Sequence, residues 1–136
     1  MTEGWHNDDY LILLDQYESK EKERLYDFGR LIPNHRLIGY LGWDDFIVED
    51  ASSRLTFRVP TIPLIEEYKK EWNGLSEIKD LEPDERFKGK IKWYVKPLIF
   101  GGDPSSQENT IWITHKDHID LVKYWNNMYH EIKETK

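Results

Sequence analysis

Residues 36–59 read RLIGYLGWDDFIVEDASSRLTFRV. The stretch is dense in β-branched and aromatic residues and is broken twice by turn-forming ones. RLIGYLGW and DDFIVED are short apolar runs punctuated by glycine, and ASS reads as a turn. In RLTFRV, Leu55, Phe57 and Val59 alternate with Arg54, Thr56 and Arg58, the period of a strand with one face buried. The joints are too short for crossover helices, so the three strands predict an antiparallel meander. Trp43 to Phe46 falls where the first strand hands over to the second.

On the N-terminal side, residues 8–25 place Tyr10, Leu13, Leu14, Tyr17 and Leu25 near one helical face, which predicts a helix. Gly29 and Pro33 stop it. On the C-terminal side, residues 63–72 carry Leu64, Ile65, Tyr68 and Trp72 at helical spacing behind Pro63, and Asn73-Gly74 is a stop signal. Residues 75–89 are polar and charged and read as a surface loop with a short helical piece. Ile91, Trp93 and Val95 alternate with lysines in a strand that Pro97 interrupts. NTIWIT, residues 109–114, is a further strand. A closing helix follows from His115, with His118, Leu121, Val122, Trp125, Met128, Tyr129 and Ile132 on one stripe. Trp125 is expected to pack on the sheet. The whole predicts one α+β domain over residues 1–136. Its mainly antiparallel twisted sheet has about five or six strands, with an N-terminal helix, a middle helix and a C-terminal amphipathic helix.

Composition narrows the function. There is no cysteine among the 136 residues, which excludes disulfides, thiolate metal sites and a cysteine nucleophile. Twenty-six acidic residues against 19 basic give a net charge of −7. Such a surface disfavours nucleic acid and anionic lipid and favours basic partners. No apolar run approaches the ~20 residues of a membrane span. The N-terminus lacks a signal-peptide pattern, so the expected location is the cytoplasm.

No set of residues converges on a catalytic pattern. The Gly101-Gly102-Asp103-Pro104 corner lacks the lysine and hydroxyl of a phosphate loop and reads as a turn. His115 and His118 can share a metal face with Asp103, Asp117 or Asp120, but match no zinc motif. His6-Asn7-Asp8-Asp9 carries ligand-type residues in a terminal segment. Asp44 and Asp45 are adjacent on a strand, where side chains point to opposite faces. None of Ser52, Ser53, Ser105 and Ser106 sits in a nucleophile elbow. Lys88, Lys90, Lys92 and Lys96 interleave with Trp93 and Tyr94, most simply as a solvated edge-protecting face. The expectation is therefore no catalytic residue, no resident metal and no cofactor.

The order of elements also resembles a family. Pro97-Leu98-Ile99-Phe100, Gly101-Gly102-Asp103, Asn109 and Ile111-Trp112-Ile113 resemble the strand, Gly/Asp turn, Asn and following strand of the SUKH superfamily. The likeness extends over residues 39–132. The family's N-terminal Leu-Pro and Asn-Gly-Gly signature has no counterpart here. The resemblance implies a twisted antiparallel sheet closed by a helix. It also implies an immunity protein that binds and neutralises a bacterial toxin domain, often a nuclease, with no catalytic residue to carry over. Binding would then use carboxylates at strand ends and loops, for which Asp44, Asp45, Asp50, Asp103 and Glu108 are the candidates. The alternatives are a small metal-dependent hydrolase built on Asp44/Asp45 and Asp103/His115/His118, or a regulatory or structural adaptor with no toxin partner.

Overall fold

The computed structural model describes residues 1–134 apart from Trp43 and Lys79. The joint expected at Trp43 therefore falls partly outside the described residues. A six-stranded antiparallel sheet runs in sequence order through β1 (Thr2–His6), β2 (Asp9–Leu13), β3 (His35–Leu41), β4 (Asp45–Asp50), β5 (Thr56–Pro60) and β6 (Lys70–Glu71). β7 (Lys90–Tyr94) and β8 (Thr110–Thr114) form a second, two-stranded sheet. The helices are α1 (Gln16–Tyr26), the single turn α2 (Phe28–Leu31) and α3 (His115–Glu134). The α+β domain with its N-terminal and C-terminal helices stands.

The meander is present, and its alternation holds for Phe57 and Val59 but not for Leu55, which precedes β5 and is exposed. Phe46, Val48 and Val59 are buried towards the helices, while Ile47 belongs to a second apolar cluster with Leu11 and Leu41 on the opposite face. β3 carries a bulge between Leu37 and Gly39. That shift lets Leu37 and Tyr40, three residues apart, share the helix-facing core. Gly39 has no substitute there: a Cβ would lie 2.1 Å from the Ile12 carbonyl oxygen.

Two helix boundaries differ from expectation. Residues 8–13 are not helix; they belong to the β1–β2 hairpin, whose tight turn has Asn7 at φ +56°. Tyr10 and Ile12 enter the helix-facing core and Leu11 the opposite cluster. A strand buried on both faces shows no alternation, so its apolar run imitates a helix face. α1 begins only after Asp15, which makes a capping box: Oδ1 accepts from the Glu18 amide at 2.9 Å, and the Glu18 side chain accepts from the Asp15 amide at 3.0 Å.

The middle helix over residues 63–72 is absent. The segment holds one 3-10 turn, Glu66–Tyr68, and then β6. The amides of Ile65, Tyr68 and Lys69 close local turns, and two further donors go to tertiary partners. The Leu64 amide donates to Asn126 of α3 at 2.7 Å, and the Trp72 amide donates to the Thr56 carbonyl at 3.1 Å. From Trp72 the chain crosses the back of the sheet as a strap. Trp72, Ile78 and Leu81 pack on Leu11, Leu41 and Ile47, and the Trp5 amide donates to Glu82 at the far edge. The segment expected as a surface loop with a short helical piece holds a 3-10 turn, Gly74–Glu77, and covers the second face of the sheet.

α3 closes the domain. Thr114 Oγ1 accepts from the Asp117 amide at 3.2 Å at its start. The fully buried stripe is His118, Ile119, Val122 and Asn126, rotated slightly from the one expected. Trp125 is half-buried on the rim of the core, with its ring 5.0 Å from Phe100.

Candidate functional site

The β3–β4 turn ends in Asp44, and β4 begins with Asp45. Their environments differ. Asp45 lies opposite Pro60 of β5, and its Oδ2 accepts from Arg58 Nε at 2.7 Å and from Arg58 Nη2. This ion pair gives Asp45 a cation of its own. Asp44 has a neutral partner only: Thr61 Oγ1 donates to its carboxylate at 3.2 Å. Among the described residues no cation pairs with it. Burial, and then the negative charge of Asp45, push the Asp44 carboxyl up to about 7. The turn position explains how neighbouring carboxylates influence each other when strand geometry alone would separate them.

That arrangement has a measurable cost to the fold. Asp44 favours the protonated form in the folded state, so it weakens the fold as pH rises from its ordinary 3.8 through about 7. Asp44→Asn should therefore stabilise the domain at pH 8 by about 1–3 kcal/mol, and should have almost no effect at pH 3.5. Urea midpoints at the two pH values check this. Equal midpoints for parent and variant at pH 8 would show that Asp44 ionises freely.

The other candidate carboxylates lie apart. Asp50 ends β4, five residues from Asp45, or about 17 Å along a strand. It caps its own turn by accepting from the amides of Ser52 at 2.8 Å and Ser53 at 3.2 Å. Lys69 Nζ is 3.7 Å away and His35 Nε2 4.0 Å away. Asp103 and Glu108 sit in the β7–β8 loop. Asp103 accepts from the amide and hydroxyl of Ser105, and Glu108 is exposed. Burial, then the charges of Asp44 and Asp45, raise the Tyr94 phenol, so the end of β7 lies within their electrostatic reach. The β7–β8 loop therefore leaves from the Asp44 end of the sheet, whereas Asp50 marks the opposite end.

The Gly-Gly-Asp-Pro corner is a turn. The Gly101 and Gly102 amides are spent on the carbonyls of Leu98 and Pro97. Asn109 stitches the loop by accepting from the Lys96 amide at 2.7 Å and donating to the carbonyls of Lys96 and Asp103. A Cβ on Gly102 would lie 1.9 Å from the Lys96 carbonyl oxygen, which accounts for the second glycine.

The histidines are part of the core. His118 Nδ1 and the Tyr26 hydroxyl are 2.6 Å apart, and the Tyr26 and Tyr40 hydroxyls 3.0 Å apart. Both ring nitrogens of His115 are buried without a hydrogen-bond partner. Among the described residues no group of three or more His, Cys, Asp or Glu side chains is placed to hold a metal ion. The lysine face divides. Lys88, Lys90 and Lys96 are exposed, but Lys92 is only 4% exposed, with Nζ 5.5 Å from the Trp5 ring and 5.9 Å from the Trp112 ring. Phe87 stacks on Trp112 at 3.8 Å.

Two surface features escaped the sequence. A cleft is lined by Asp45, Arg58, Pro60, Tyr68 and Lys70. An apolar groove of about 340 Å³ is lined by Ile99, Phe100, Tyr129, Ile132 and Lys133. The Leu98–Phe100 turn creates the groove by lifting an apolar run out of the sheet, which leaves Ile99 48% exposed. The legible signal was Pro97, which ends strand pairing before three large apolar residues.

The fold defines a single α+β domain. No helix among the described residues is long and apolar enough to cross a membrane. The chain matches no family model, no curated protein and no solved structure.

Proposed function

We propose that the domain is a non-enzymatic binding protein that neutralises a basic protein partner in the cytoplasm, in the manner of the immunity proteins that its SUKH-like hairpin resembles. One observation carries the reading: Asp44 is a half-buried carboxylate whose hydrogen-bond partner is a neutral hydroxyl, beside a second carboxylate already paired with Arg58. Free, the protein bears the cost of that arrangement. A lysine or arginine from a partner would remove it, which converts strain in the free protein into affinity. The net charge of −7 adds long-range attraction for the same class of partner. A basic toxin domain such as a nuclease has the required charge.

The test is kinetic. A partner isolated by affinity capture should associate more slowly as salt rises, because the Debye length falls from ~10 Å at 0.1 M to ~3 Å at 1 M. Asp44→Asn with Asp45→Asn should lower the on-rate further at low salt, with Asp103→Asn and Glu108→Gln adding smaller decrements. Asp50→Asn, at the opposite end, should change it least. An on-rate indifferent to both salt and these substitutions, or an acidic partner, would overturn the reading.

A further inference from the structure

The Asp44 turn and the apolar groove are joined through the fold. The Thr61 amide donates to the Asp44 carbonyl at 2.7 Å, and its hydroxyl donates to the Asp44 carboxylate. The Thr61 carbonyl accepts from Asn126 Nδ2 at 2.8 Å. Asn126 lies one helical turn before Tyr129, which lines the groove. Tyr129 also meets Tyr68, which lines the cleft that holds Asp45. On the surface the two tyrosines join the Asp45 cleft to the groove, and Asp44 precedes Asp45 in the chain, while the buried Thr61–Asn126 bridge ties Asp44 to the groove's helix from within.

The composition of that region is that of a protein-docking surface. Its centre is apolar and aromatic: Ile99, Phe100, Tyr129 and Ile132, with Trp125 half-buried beneath Phe100. Its rim is charged, with Lys133 at the groove and Arg58, Asp45 and Lys70 around the cleft. Aromatic residues at the centre of such a patch supply most binding energy, and rim charges supply orientation. The charges also restrict the occupant. Lys133 and Lys70 repel a segment that is cationic along its length. Asp44, without a cation of its own among the described residues, accepts one at its own end.

We propose that this region docks a segment of a basic partner that pairs one large aromatic or aliphatic side chain, seated in the Ile99–Phe100–Tyr129–Ile132 groove, with one arginine or lysine reaching Asp44. The inference rests on the functional reading above and adds where the partner sits and what it must carry.

Capped peptides of the form acetyl-Phe-(Gly)n-Arg-amide, with n from 0 to 3, provide the probe. They are titrated into the full chain with amide shifts read by NMR. At least one spacer length should bind saturably and shift Ile99, Phe100, Tyr129 and Asp44 together. Asp44→Asn and Ile99→Ser should each weaken it at least fivefold. Ile99 is exposed, so its substitution leaves the core intact. Counterparts with Glu for Arg, or Ala for Phe, should bind at least fivefold more weakly. If the Ala-Arg peptides bind as well as the Phe-Arg ones, the groove has no part in docking and the inference fails, while a basic partner at Asp44 stands. If the Glu peptides match the Arg peptides, both readings fail. Absence of saturable binding at every spacer length also overturns the inference.

Discussion

Lowering the pH from 6.5 to 4 should cost the domain about 3 kcal/mol, with His115 and His118 responsible. Burial, and then His115 and Lys22, lower the His118 imidazole to about 3. Its ring sits edge-on to Tyr26, Tyr40, Phe46 and Trp93, where a charge has no solvation. Burial, and then Lys22, lower His115 to about 4, against a smaller opposing pull from Glu18. Both folded values lie below the ordinary 6.5, so the unfolded chain takes up two protons before the folded one takes any. Their stabilisation is complete above pH 6.5 and is lost as pH falls. Asp44 works against them. Raised to about 7, it holds one proton in the folded state that the unfolded chain lacks over the same interval. The net difference is one proton, or about 1.4 kcal/mol per pH unit. Asp44→Asn removes the opposing group and should double that slope. Denaturant unfolding at half-unit pH steps measures both slopes. A flat profile between pH 6.5 and 4 in both proteins would mean that the two histidines ionise within the fold.

The difference between what was readable in the sequence and what was not follows burial on one face or two. β3, β4 and β5 were legible because Phe57 and Val59 face the core while Arg58 faces away, and because Gly42 and residues 51–53 break the pattern. The closing helix was legible from its period. β2 was not, because Leu11 and Ile12 are buried on opposite faces. The strap was not, because Trp72, Ile78 and Leu81 are scattered among charges and their apolar partners, Leu11, Leu41 and Ile47, lie far away in the chain. The site divides along the same line. Asp44 and Asp45 could be singled out as adjacent carboxylates at a strand joint. That Asp45 takes Arg58 and leaves Asp44 with a hydroxyl depends on the β4–β5 register and on Thr61, which no local pattern records. The groove needed the packing of residues 98–100 against a helix 25 residues downstream.

Asn126→Ala should destabilise the domain by about 3–5 kcal/mol, more than its size suggests. Asn126 is 1% exposed and sits in the middle of α3, where asparagine has no helical advantage. Its side chain instead replaces a missing piece of secondary structure. Oδ1 accepts from the Leu64 amide at 2.7 Å, and Nδ2 donates to the carbonyls of Thr61 at 2.8 Å and Val122 at 2.9 Å. Only this orientation of the amide matches donors to acceptors on all three contacts. The segment from Thr61 to Leu64 is buried, and neither a helix nor a ladder supplies its polar groups with partners. Truncation leaves the Leu64 amide and the Thr61 carbonyl unpaired, each at about 1–3 kcal/mol, and opens a small cavity. With a urea slope of about 1.5 kcal/mol per M, the midpoint should fall by roughly 2–3 M. Asn126→Asp should be comparably damaging, since it keeps the acceptor for Leu64 but loses both donors and buries a charge. Amide exchange at Leu64 should accelerate in both variants before global unfolding does. A loss below 1 kcal/mol in Asn126→Ala, with Leu64 still protected, would show that the segment holds itself in place. The proposed docking makes the same bridge matter for binding: Thr61 positions Asp44, and Asn126 positions Thr61, so both variants should weaken the peptide probe while leaving the Asp44 charge in place.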